Sequence, residues 1–94
     1  MTVPKFLYTA WFRDLSMPQD EQDHEWPACF LVEAQVSLAA RSRGDELVKR
    51  YVARQSNVAF LRATVEDARS AEGDLSTLPI LRIGEELSDR DVGW

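Results

Sequence analysis

The side chains best equipped for chemistry crowd into one short run, Asp20-Glu21-Gln22-Asp23-His24-Glu25. Carboxylates and an imidazole on a loop can ligate a divalent ion or exchange protons. The run lacks what such a site needs. No helix fixes the spacing, no second histidine supports zinc, and no glycine sits where an EF-hand loop requires one. A solvated acidic loop accounts for it. His24 and Cys29, the single cysteine, raise a Cys–His nucleophile. That chemistry needs a partly exposed thiolate and a base oriented by a third group. Cys29 instead falls within an apolar strand pattern, where cysteine is usually just buried. Arg43, Arg50 and Arg54 share one side of a helix at spacings of seven and four. Arginines so placed can receive a carboxylate or phosphate, but Glu46 beside them favours a solvated, ion-paired face. No phosphate-binding glycine loop, Rossmann fingerprint, paired-histidine site or nucleophile elbow occurs. No catalytic residue, metal ligand or cofactor is assigned.

The elements that must position these residues follow from hydrophobic period. Residues 5–13 alternate as a strand, with Phe6, Tyr8, Ala10 and Phe12 on one face and Leu7, Thr9, Trp11 and Arg13 on the other. Residues 14–26 are polar, contain Pro18 and read as a long loop. A second strand spans 26–36, and Ser37 is placed to cap a helix over 38–55. On that helix Ala40, Gly44, Leu47, Val48 and Tyr51 form the core-facing stripe. Gly44 costs about 1 kcal/mol relative to alanine there, which implies close approach to the sheet. Asp45–Lys49 and Glu46–Arg50 are expected ion pairs on the wet side. A third strand covers 58–66, with Leu61 and Val65 on the helix face and Phe60 on the other. Residues 67–78 form a polar connection, Pro79 opens a fourth strand over 80–83, and Ser88 and Asp89 cap a last helical turn before Trp94. The expected fold class is α+β: a two-layer sandwich in the order β-β-α-β-β, one domain over 1–94, with a four-stranded mixed sheet under one main helix.

One helix covers one face of such a sheet. The other face is expected to carry Leu7, Trp11, Cys29, Leu31, Phe60 and Ile80 among Arg13, Glu33, Arg62, Glu66 and Arg82. An apolar area with a polar rim marks an interaction surface, unless the loop 14–26 or the C-terminal turn folds over it. The candidate ligand or interface residues are therefore Trp11, Arg13, Leu31, Phe60, Arg62 and Glu66, with His24 and Trp26 from the adjoining loop.

Composition narrows the classes of function. Ninety-four residues form one core, and a chain this small gains stability readily by pairing with a copy of itself. The net charge of −5 argues against general nucleic-acid binding. The lone cysteine excludes an internal disulfide, no membrane-length apolar run occurs, and no secretory pattern opens the chain. The expected location is the cytoplasm.

Two resemblances attach to particular strings. Thr77-Leu78-Pro79-Ile80-Leu81-Arg82-Ile83-Gly84 resembles the late segment of thioredoxin-like proteins. That family's Cys-x-x-Cys is absent and the chain starts with two strands, so the redox reading does not carry over. FLYTAWFRD, the acidic loop, WPACFLVEA and the closing GEELSDRDVGW resemble uncharacterised small bacterial proteins of the kind carried on mobile integron gene cassettes. That resemblance implies a compact α+β protein, often oligomeric, and transfers no catalytic residue.

The leading expectation is a non-enzymatic binding protein that self-associates, as a dimer, through the open sheet face. Trp11, Leu31 and Phe60 would be its anchors and Arg62 and Glu66 its polar rim. The alternative is a small-molecule-binding protein or metal-dependent enzyme with the loop 14–26 as a lid over His24, Glu25, Arg13, Arg62 and Glu66. A partner-specific inhibitor or immunity-type protein also fits the size and charge.

Overall fold

Strand β1 (Lys5–Asp14) runs down the middle of the sheet because it is apolar on both faces. Its neighbours are β2 (Glu25–Glu33) and β3 (Val58–Asp67), and a two-residue β4 (Ile80–Leu81) completes the order β3-β1-β2-β4. The computed structural model describes residues 3–16, 25–71, 73, 75–82 and 84–92. β1 is antiparallel to both β2 and β3, and β4 is parallel to β2. Helix α1 (Ser37–Ala53) lies between β2 and β3 in the chain, and α2 (Asp89–Val92) follows β4. The chain is thus α+β in the order β-β-α-β-β, as its hydrophobic periods predict. No helix among the described residues is long and apolar enough to cross a membrane.

The helix buries the five residues of its predicted stripe, Ala40, Gly44, Leu47, Val48 and Tyr51. They pack on Phe6, Tyr8, Ala10 and Phe12 of β1 and Ala28, Phe30 and Val32 of β2. Gly44 is where helix and sheet come closest: a β-carbon there would stand under 3.0 Å from three ring carbons of Tyr8. Ser37 does not cap α1. The capping position is Val36, in extended conformation (φ −138°, ψ 160°), with no side-chain hydrogen bond. The expected Ser88 cap is present at α2, where Ser88 and Asp91 exchange backbone-to-side-chain bonds of 3.0 and 3.2 Å. Trp94 lies outside the described residues.

β3 departs from simple alternation. Trp11 pairs with Arg62 but Phe12 pairs with Phe60, so Leu61 is an extra residue in the ladder. This bulge reverses the faces of the residues before it. Leu61, expected under the helix, is 40% exposed. Phe60, expected on the open face, packs against the core with its ring 6.2 Å from that of Phe12.

Two tyrosines tie the layers together through carboxylates. The Tyr8 hydroxyl donates to Asp45, and Tyr51 donates to Asp89 at 2.9 Å. Asp45 is therefore turned toward the sheet and not toward Lys49 as its spacing suggested, whereas the expected Glu46–Arg50 pair forms. Burial first, and then the bonded carboxylate, hold both phenols well above the ordinary tyrosine pKa. A raised folded-state pKa gives stability that is complete below about pH 10, the unfolded value, and is lost as pH climbs beyond it. Above that point each tyrosine is expected to remove about 1.4 kcal/mol per pH unit. Urea unfolding followed with phenolate absorbance should show tyrosine ionisation coinciding with loss of fold. Both phenols ionising in an intact fold near pH 10 would contradict this.

Candidate functional site

The face of the sheet turned from α1 is built in rows set by strand register. Lys5 and Glu33 open it, followed by Leu7 flanked by Leu31 and Glu66, Thr9 by Cys29 and Thr64, Trp11 by Pro27 and Arg62, and Arg13 by Glu25 and Ala59. The rows divide into a covered end and an open end.

Leu7 and Leu31 form the covered end. They are 8% and 6% exposed, yet they stand outside the core that packs under α1. Topology accounts for this. β2, β3 and β4 all run the same way, so β2-α1-β3 and β3-to-β4 are both parallel crossovers, travelling in opposite directions across the sheet. Two right-handed crossovers in opposite directions lie on opposite faces. A right-handed β3-to-β4 connection therefore belongs on the face that α1 leaves free, and the residues leading into β4 fit it: Leu75, Leu78 and Pro79 are half-buried, and the Pro79 carbonyl accepts from the Leu31 amide at 2.9 Å. Leu31, expected as an interface anchor, is covered by the chain itself.

Trp11 dominates the open end. The Arg62 guanidinium stacks over its indole, 4.8 Å from the ring centroid, and lies 3.7 Å from the Glu25 carboxylate. An aromatic ring, a planar cation and an anion are thus arrayed across three strands. A stack of this kind contributes about 0.5–1 kcal/mol when exposed, and it keeps a flexible arginine close to one geometry. Arg13, one row further on, is half-buried, and its Nε is buried with no hydrogen-bond partner among the described residues. Cys29 is half-buried with its sulfur 3.6 Å from the Thr9 hydroxyl. Glu66 is exposed and makes no ion pair among the described residues. Among the described residues no nucleophile of this face stands beside an oriented base.

Two expected site residues lie on the other face. Phe60 faces the core, as described. Trp26 is on the helix side too, its ring 5.6 Å from Phe12 and its Nε1 donating to the Val92 carbonyl at 2.8 Å. It joins β2 to α2. His24 and the acidic loop over 17–24 lie outside the described residues. Among the described residues no three His, Cys, Asp or Glu side chains stand close enough to hold a metal ion.

The arginines of α1 serve structure. Arg43 donates to the Glu33 carbonyl, Arg50 pairs with Glu46 and Glu86, and Arg54 pairs with Glu86 and donates to the Leu87 carbonyl. Arg43 and Arg50 line a cleft of about 330 Å³ together with Arg82, itself 3.1 Å from Glu33. With each cation already matched by an oxygen, these contacts fasten the segment before α2 onto α1. Sequence reasoning missed Glu86 as the bridging acid. The only available signal was three like charges on one helix side, which require a counter-ion from elsewhere.

Compared with protein-family models, with curated proteins and with solved structures, the chain has no match.

Proposed function

We propose that this chain is a non-enzymatic binding protein that self-associates through the open end of the sheet, with Trp11 as anchor and Arg62 and Glu66 as polar rim. The observation that carries the reading is the Trp11–Arg62–Glu25 stack on a face that α1 leaves uncovered. Tryptophan and arginine are the residue types that concentrate binding energy at interfaces, where a central residue is commonly worth 2 kcal/mol or more. Light scattering on size-separated protein tests it. Trp11→Asp is expected to weaken association by about thirtyfold or more, since it removes the anchor and places an anion beside Arg62. An unchanged assembly in Trp11→Asp would remove this surface from the account.

A second reading rests on Arg13. A half-buried guanidinium whose Nε lacks a partner among the described residues is suited to a ligand carboxylate or phosphate. A thermal-shift panel of small anions, nucleotides and divalent metals is its test. A ligand at a hundred times its dissociation constant adds about 2.7 kcal/mol to stability, an effect that Arg13→Met should abolish. No shift with any compound counts against it.

A further inference from the structure

The two edges of this sheet are managed very differently. β4 is two residues long and offers almost nothing to pair with. β3 is ten residues long, and among the described residues no backbone hydrogen bond reaches its outer side between Arg62 and Glu66. Such an edge is a template for another strand unless something blunts it. The Leu61 bulge ends its regular part on one side, leaving Arg62–Asp67 as the usable stretch.

We infer that the β3 edge pairs with the β3 edge of a second copy, antiparallel, in a register centred on Thr64. The inference rests on the self-association reading above and specifies where the two copies meet: at the edge beside the Trp11–Arg62 stack, with Trp11 acting by holding Arg62 in place. Three constraints select this register. A two-fold axis normal to the sheet keeps side chains on their own faces, so paired residues must have the same parity and the axis must pass through a residue. An axis at Arg62 or at Glu66 sets like charges directly opposite, which is unfavourable, and an axis at Ala63 or Val65 leaves both charges without an opposite charge across the seam. An axis at Thr64 sets Arg62 of each copy opposite Glu66 of the other, with threonine facing threonine between them. Arg62, Thr64 and Glu66 are all exposed on the open face, and Glu66 has no ion pair within its own chain among the described residues. The order Arg-x-Thr-x-Glu is complementary to itself and to no other centre in this stretch. Trp11, in register with Arg62, braces that guanidinium at the edge. The result is a continuous eight-stranded sheet with both Trp11 platforms on one side.

Charge reversal with rescue, read by sedimentation, tests the pairing. Arg62→Glu and Glu66→Arg each place two like-charge pairs across the axis, and each is expected to raise the dimer dissociation constant about tenfold. Arg62→Glu/Glu66→Arg together should restore it. In a Cys29→Ser background, Thr64→Cys should form a disulfide-linked dimer under mild oxidation. Glu66→Cys should not, because the register holds its two copies about 14 Å apart. If the wild type associates but the double variant is no better than the singles and Thr64→Cys stays unlinked, the edge register is wrong and self-association by another part of the face stands. If the wild type is monomeric at every concentration, both readings fail.

Discussion

Gly44→Ala is expected to cost about 3 kcal/mol and lower the melting temperature by about 15 °C, although alanine is the better helix former. Taken alone, the substitution in a helix interior favours folding by about 1 kcal/mol. At this position the new methyl would fall within 3.0 Å of the Cγ, Cδ2 and Cε2 atoms of Tyr8. The ring has no room to yield, since it is fully buried, stacks on Phe30 at 5.0 Å and is bonded through its hydroxyl to Asp45. Asp45 is the next residue along the helix, so moving α1 outward to admit the methyl also pulls away the acceptor of a buried hydroxyl. Overpacking and the loss of that bond act together. Urea unfolding decides the matter: equal or greater stability in Gly44→Ala would mean that α1 does not approach the sheet at this point.

Phe12→Ala is expected to be at least as damaging, at about 4 kcal/mol. The Phe12 ring is wholly buried and touches three others, with centroids 5.6 Å away at Trp26, 5.9 Å at Tyr51 and 6.2 Å at Phe60. These belong to β2, α1 and β3, so no single element can shift to close the hole. A domain of this size is stable by roughly 5–14 kcal/mol, so much of the margin disappears. The Trp26 indole should become more accessible in the variant, giving red-shifted emission and faster quenching by acrylamide. A loss below about 1 kcal/mol would contradict the packing described, because that range belongs to sites that collapse around a deleted side chain.

The parts of the fold legible in the sequence are those governed by one period. Phe6, Tyr8, Ala10 and Phe12 alternate without interruption, and the core face of β1 is the predicted one. Gly44 on the apolar stripe signalled close packing, and the Tyr8 ring is what it meets. β3 was misread because a bulge leaves no local mark: residues 58–67 alternate acceptably in either register, and the insertion at Leu61 arises from pairing with β1. Phe60 lost its place in the candidate surface for that reason alone.

Longer-range effects were also hidden. The small polar residues of 67–78 carry no pattern announcing a crossover, yet Leu31, bonded to Pro79 at the end of that connection, is 6% exposed and leaves the open face smaller than expected. Asp45 matched Lys49 by spacing, but one of its oxygens accepts from the buried Tyr8 hydroxyl and the other lies 3.9 Å from Arg41. Trp11 and Arg62 were both legible as open-face strand residues, but the order of their strands was not. Their stacking follows from a register that only the pairing of β1 with β3 sets.

Sedimentation equilibrium of the wild-type protein across a wide concentration range tests the central claim most directly. The account predicts a mass that rises with concentration to twice the 10.7 kDa of the chain, with the rise displaced to higher concentration by Trp11→Asp. A mass that stays at 10.7 kDa at every concentration would contradict it.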